Sequence, residues 1–575
     1  MKHFKHWLYV MLLPLSLLAA LSACKKEPGM DTPPQAPALR IVSIEPATAP
    51  VGSTVVVNGE NFSTTPGSNT VTIGGVPATV ISASPTQLVV VVPEGAANGP
   101  IGITAGGQTV QSSGTFTVAQ KSAKPISEVR GTRFMNLTWS KDTIYLLRGM
   151  VYIPADYTLT IQPGTVIKGA GPELDPEGKN QAGTLVVERR GKIMAMGTPT
   201  APIVFTSAKP AGQRGYGDWG GVVLVGKAAF NQPGTTLFAG GVRGTVETYS
   251  EFDDNSGTLQ YVRIEFAGTA PSTPAENKLS GLTLYGVGYR TTINHVQVSH
   301  SSGDAFGWFG GTVTAKNLVA FRTYDDDWST NWGYIGRVQF GVALRDPQTS
   351  DPSGSNGFES ENFNPGENAD GSPLSPRNGL PQTAPIFANM SSFGVNTTIT
   401  SPAREAAGYQ SGIHIRRNSA ISIYNSLIYG YTEGLRLDGT ATGTYANATS
   451  NALDLKGIVL ANVLTPVVGG GAITTDQANA YFTAAGRGNQ IIASSDIGSL
   501  LLNATNFNLT APNFLPQGGS PLLTGAVTGG KLDATVGQAN SEKFFIAVPY
   551  RGAFGTENWL ASWTNFDPQN TNYDQ

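Results

Sequence analysis

Short runs of β-branched and aromatic residues, broken every few positions by glycine, proline or asparagine, mark most of the chain after residue 40. Between Ile41 and Val118 these runs are Thr54 to Val57, Asn69 to Ile73, Leu88 to Val92, Ile101 to Thr104 and Thr115 to Val118. Their spacing predicts a small β-sandwich. After Ala119 the runs Thr158 to Ile167, Gly183 to Val187, Pro202 to Phe205 and Gly221 to Val225 follow without intervening helical patterns. Aligning Ile293 to Val298 on Lys316 to Phe321 puts Asn294 over Asn317, a step of 23 residues, and Tyr424 to Tyr429 repeats the same order around Asn425. A unit of that size without a helix is one turn of a parallel β-helix, whose stacked turns bury a core that no single turn buries. A set of repeated sandwiches is the competing fold, and the repeat is too short for it. The asparagine amides are expected to hydrogen-bond up and down the stack. Between Asp346 and Gly412 the pattern fades into Pro, Gly, Asn and Ser, with Asp351, Glu359, Glu361, Glu367 and Asp370. This predicts a long loop near 346–411, placed to fold over neighbouring acidic turns. His414, Arg416 and Arg417 then read as a polar strand face.

The N-terminus has a different pattern. Lys2 and Lys5 precede an apolar run from Trp7 to Ala20, about 14 residues long. That is short of the roughly 20 needed to span a bilayer, and with the small-residue exit Leu21-Ser22-Ala23 it reads as a processed signal. Cys24, which follows, is the sole cysteine. The arrangement resembles the lipobox of bacterial lipoproteins, which implies cleavage before Cys24 and lipid attachment to it. Lys25, Lys26 and Glu27 with Pro28, Gly29, Pro33, Pro34 and Pro37 form an extended spacer. Lys25 in place of an aspartate implies the outer membrane, and the charged residues are similar to a surface-export signal of Bacteroidota lipoproteins. No mature stretch is long and apolar enough to span a membrane, so the acyl group is the expected anchor. The expected organisation is all-β: a signal peptide (1–23), a tether (24–40), an Ig-like β-sandwich (41–118) and a large parallel β-helix (119–575).

Two further resemblances refine this. Ile44-Glu45-Pro46, Gly52, Val55 to Val57, Asn61-Phe62, Val71 to Gly75 and Val91-Val92-Pro93 resemble the IPT/TIG immunoglobulin-like family, which implies a spacer or binding unit. Gly217 to Leu224, Ser256 to Gly268 and Pro549 through Phe566 resemble large uncharacterised β-helix proteins of Bacteroidota. That likeness implies a fold and no activity. Some of those proteins carry a C-terminal secretion domain, and this chain is expected to rely on its N-terminal lipid instead.

Composition narrows the partners. Net charge is −3, charged residues are 13% of the chain, and there is no basic block, so nucleic acid is not an expected partner. The richest chemistry lies in two adjacent turns: His295, His300 and Asp304, then Tyr324, Asp325, Asp326, Asp327 and Trp328. The 23-residue step stacks Asp304 over Asp327. With Asp325 they form a candidate calcium site, because turns lie about 4.8 Å apart and Ca²⁺ takes carboxylate oxygens. Trp308, Trp328 and Trp332, near Phe309, are candidate sugar-binding faces. The structural alternative is a solvated acidic turn with the aromatics filling the coil.

Parallel β-helices often act on acidic polysaccharides. A pectate-lyase-like elimination implies calcium and a base such as Arg322, Arg337 or Arg345. A polygalacturonase-like hydrolase implies acids such as Asp304, Asp326 and Asp327, but the Gly-His-Gly and Arg-Ile-Lys motifs of that family are missing. The expected function is therefore glycan or envelope binding by a lipid-anchored surface protein, with a polysaccharide lyase or hydrolase as the alternative.

Overall fold

The computed structural model describes residues 37–119, 124–247, 249–269, 277–362, 379–396, 410–533, 535 and 543–574. Cys24, the expected signal segment and most of the expected tether lie outside them. Among the described residues, no helix is long and apolar enough to cross a membrane.

The N-terminal domain is a seven-stranded antiparallel β-structure. Its strand Thr54–Glu60 shows the cause: Val55, Val57 and Gly59 are buried while the residues between them are more exposed. The inward valines meet Val71, Ile73, Leu88, Val90, Ile101 and Ile103 in one core. Gln213 Nε2, from the large domain, donates to the carbonyl of Thr54 at 2.6 Å.

The large domain is a parallel β-helix in which 26 strands form one continuous ladder. A representative turn contains the short strand Leu282–Tyr285 and the longer Thr292–Ser299; the next contains Phe306–Phe309 and Thr314–Phe321. Inward residues such as Val296, Val298, Leu318 and Ala320 are fully buried. Complete burial of a side chain the size of valine or leucine contributes about 1.5–3 kcal/mol.

The register corrects the expected repeat. Asn294 pairs with Lys316, and Val296 with Leu318, a step of 22 residues rather than 23. His295 therefore faces Asn317. Both lie in a column of left-handed residues that bends the long strands: Tyr261, His295, Asn317, Phe340, Asn389 and Asn425 have φ between 50° and 63°. Asparagine adopts this conformation more readily than most residues, which explains its recurrence. The expected amide ladder is thus only a small part of the account. Gln339 Nε2 does donate to Asn389 Oδ1 at 3.0 Å. Asn389 and Asn425, however, also donate to the carbonyls of Tyr550 and Val527 in the C-terminal segment.

That segment lies along the coil. Gln297 exchanges two hydrogen bonds with Asn565, and Tyr573 donates to Glu265. Phe514, Phe554, Leu560 and Trp563 cover Val319, Phe321, Val342 and Leu344, so this sheet is buried on both faces. At the other boundary, the helix Thr475–Thr483 packs against the coil through Ala478, Tyr481 and Phe482. Thr474 and Gln477 form its capping box, satisfying N–H groups that have no partner within the helix.

The stretch at 346–411 is not one loop. It contains the coil strands Phe358–Ser360 and Ile386–Phe393, each paired in parallel with its neighbours. Asp351 and Glu359 are among its described residues, whereas Glu367 and Asp370 lie outside them.

Candidate functional site

One face of the coil carries the strands Phe306–Phe309, Trp328–Asn331, Phe358–Ser360 and Ser411–Ile415. Gly307, Ser329, Glu359 and His414 stand side by side across it. Their strand neighbours Phe306, Trp328, Phe358 and Ile413 enter the core, so alternation turns the polar row away from it. The turn leading into each strand adds acids. Asp304 precedes Phe306, and Asp325 and Asp326 occupy the corresponding turn before Trp328.

These three carboxyl groups meet. One oxygen from each of Asp304, Asp325 and Asp326 lies within 4.8 Å of the others. Asp304 Oδ1 accepts the Asp326 N–H at 3.3 Å, and its Oδ2 accepts the Ser280 hydroxyl at 3.2 Å. Asp326 Oδ1 accepts from the backbone and side-chain nitrogens of Asn356 at 2.6 and 3.0 Å. Lys278 binds Asp351 and lies 3.4 Å from Asp325. The cavity above them has a volume of about 230 Å³; Lys278, Phe309, Ser329, Glu359 and Arg416 also line it.

The group is short of positive charge. Arg416 pairs with both Glu359 and Glu361, while Arg417 also holds Glu361 at 2.7 Å. Lys278 is shared between Asp325 and Asp351. Burial, reinforced by Glu359, pushes the Asp304 carboxyl up to about 7. Burial and Asp304 push Asp325 up to about 8, despite Lys278. Asp326 is raised by burial and by Glu359, Asp325 and Asp304. Carboxyls so arranged retain protons near neutrality or take a cation. Oxygens with such separations can all contact one Ca²⁺, whose bonds to oxygen are about 2.3–2.6 Å.

Several sequence expectations change here. Asp327 is not a cation ligand: it is fully buried and ion-paired at 3.0 Å with the equally buried Arg345. The 22-residue step places Asp326, not Asp327, in the turn corresponding to Asp304. A metal set of Asp304, Asp325 and Asp327 therefore fails, as does any calcium-dependent elimination built on it. Asp327 is likewise unavailable as a catalytic acid. Arg345 donates to the carbonyls of Asn356 and Asp325, a structural role, while Arg322 is held by Asp346 at 2.5 Å. Neither they nor Arg337 line the acidic cavity.

Trp308 and Trp328 belong to the core, at 1% and 0% exposure, so neither offers a face to sugar. Trp308 stacks on Phe306 and Tyr334, and Trp328 on Phe306. Trp332 is half-buried against Phe309, Tyr285 and Phe230, outside the cavity lining. His295 and His300 stack on Tyr261 and Phe266 at two bends of the coil. Burial lowers their basicity, to pKa values of about 4 and about 3.

Lys278 escaped the sequence reading because it belongs to an earlier turn. Glu359 and Arg416 were visible only as loop and face residues, since a long insertion separates their strands from Asp304.

Residues 131–496 match the family described as the pectate-lyase-like β-helix domain. The chain belongs to this family. Residues 39–118 match the IPT/TIG domain. No protein with a curated description matches the chain. Among solved structures, an auxiliary nutrient binding protein from Bacteroides thetaiotaomicron is 23% identical, with 16% of this chain and 24% of that one covered and a TM-score of 0.14. A putative phosphatase from the same organism is 29% identical over 15% of this chain and 20% of that one, also with a TM-score of 0.14. The Dettilon tailspike protein is 11% identical over 61% of each chain, with a TM-score of 0.21. This pectate-lyase-like β-helix protein thus spans about a quarter or less of the first two relatives' lengths. At such TM-scores, none of the three bears on its activity.

Proposed function

We propose that the protein is a lipid-anchored glycan-binding protein of the bacterial outer membrane or cell surface, which holds a divalent cation, calcium by charge and ligand type, in the acidic pocket. The observation carrying this reading is the convergence of Asp304, Asp325 and Asp326 beneath an open cavity. Calcium held there would attract the carboxylate or hydroxyl oxygens of a polysaccharide, since it takes oxygen ligands. Asp304, Asp325 and Asp326 hold the ion, Lys278 limits the local negative charge, and Glu359 and Arg416 form the adjoining polar wall. The IPT/TIG domain acts as a spacer between the Cys24 anchor and the coil. Cys24→Ser releases the protein from the membrane fraction; retention of that variant there would refute the anchor.

Incubation with polygalacturonate, alginate and host-type glycans, with and without calcium, tests the pocket. Calcium-dependent retention of at least one glycan without chain cleavage is expected. Calcium-independent retention overturns the role of the ion, and absence of retention overturns the binding reading.

One observation favours a second reading. A carboxyl raised to about 7, as Asp304 is, stays partly protonated near neutral pH and suits a general acid in a glycoside hydrolase. New reducing ends that disappear in Asp304→Asn establish that alternative. Unsaturated products instead point to a lyase, with Lys278 and Arg416 as the cations bordering the cavity.

A further inference from the structure

A second cavity, of about 600 Å³, lies on the first turns of the coil and has the opposite charge character. Arg130, Arg148, Lys179 and Arg243 line it, against Asp175 and Glu177. The acids are already engaged. Asp175 accepts the N–H groups of Glu177, Lys179 and Gln181, which closes the local loop on itself. Glu177 pairs with Lys179. Arg148 and Arg243 pair with Glu128 and Glu188, neither of which lines the cavity. Arg130 is exposed, and among the described residues its side chain forms no ion pair or hydrogen bond.

A backbone irregularity builds this concavity. Val129 pairs with Leu147 and Gly131 with Val151, so one strand advances two residues while its partner advances four. Such an irregularity changes the direction in which local side chains point. Arg130 and Arg148 lie within it. Gly131 and Gly149 have φ of 64° and 61°. A Cβ on Gly149 would fall 2.7 Å from the Asp175 carboxylate, so a larger residue there disturbs the loop that walls the cavity.

We propose that this bulged groove binds an anionic saccharide through its carboxylate or sulfate groups, as a second glycan subsite of charge opposite to the acidic pocket. The inference rests on the glycan-binding reading but uses no calcium. The volume lies within the roughly 300–1,000 Å³ of ordinary small-ligand pockets, more room than one inorganic anion fills. Cations contributed by four separate segments suit charges distributed along a chain. A nucleotide is less suited: Arg243 already covers the Tyr152 ring at 4.0 Å, leaving that face no room for a base.

Titration calorimetry on the full chain, with a chelator present, tests the groove against a galacturonate tetrasaccharide, a chondroitin sulfate tetrasaccharide and inorganic sulfate. At least one saccharide binds, and its affinity falls as salt rises. Arg130→Gln/Arg148→Gln lowers that affinity at least tenfold. Lys179→Gln, which loses only an exposed ion pair, lowers it severalfold with unchanged melting, so a folding defect in the double variant does not obscure the result. The proposal is overturned if neither saccharide binds, if sulfate binds as tightly as the saccharide, or if both variants bind like the natural protein. Binding seen only with calcium also overturns it and assigns the glycan to the acidic pocket alone.

Discussion

Asp326 and Asp327 are adjacent in the chain and belong to two different regions of the molecule. Asp326 joins Asp304 and Asp325 beneath an open cavity. Asp327 turns into the protein and is neutralised by Arg345, with Tyr431 donating to its other oxygen at 3.4 Å. In a solenoid, strand alternation and the exact turn length decide which carboxyl is available to a ligand and which supports the fold. Acidic residue type alone separates neither role.

The largest expected effect tests the buried side. Asp327→Asn leaves Arg345 without its buried counter-charge and costs about 3–5 kcal/mol in urea unfolding. Asp326→Asn retains an oxygen for the Asn356 N–H and costs less than about 1 kcal/mol. Equal losses would erase the distinction between the two regions.

Calcium sharpens the comparison from the ligand side. At a concentration one hundred times its dissociation constant, it stabilises the fold by about 2.7 kcal/mol, seen as a higher melting temperature. Asp326→Asn weakens that response severalfold, whereas conservative replacement of Asn317 leaves it intact. A full calcium response in Asp326→Asn would exclude the proposed ligand set.

The pH dependence has a defined sign. Asp304 and Asp325 rise from 3.8 in the unfolded chain to about 7 and about 8 in the folded protein. Between these limits the folded state binds more protons, so the stability contributed here is complete below pH 4 and is lost as pH rises through 7 to 8. Calcium offsets the loss by stabilising the ionised carboxylates. Thermal melts from pH 4 to 8 should therefore show a decline that flattens in Asp304→Asn; an unchanged slope would count against this source.

The smallest effect concerns the bend. Asn317→Val places a β-branched residue at φ 58° and costs about 1–2 kcal/mol by denaturant unfolding, while Asn317→Gly costs less. If glycine and valine are equally disruptive, the asparagine side chain rather than its backbone conformation carries the stability.

Much of the fold was legible because its signals are local. The β-branched run from Thr54 to Val57 reports a strand, and the recurring pattern around Asn294, Asn317 and Asn425 reports stacked turns. The turn length was misread by one residue because asparagine recurs at a left-handed bend without being opposite itself in every turn: Asn317 faces His295. That small error exchanged Asp326 for Asp327. Trp308 and Trp328 read as ligand faces for a separate reason, their nearness to the acids in sequence, although strand alternation sends both into the core. Lys278 and Arg416 were not legible as site residues, since turn stacking brings them to the acids across long sequence separations.

Local hydrophobic alternation and turn residues were enough to specify an Ig-like domain followed by a parallel β-helix, because each strand must present an apolar face to a core. They also placed the acidic cluster within two adjacent turns. The direction of each carboxyl, the cation paired with it and the opposing basic groove were decided only when the turns stacked. Those properties depend on register and on a bulge, and a one-residue change in register turns a side chain from solvent to core.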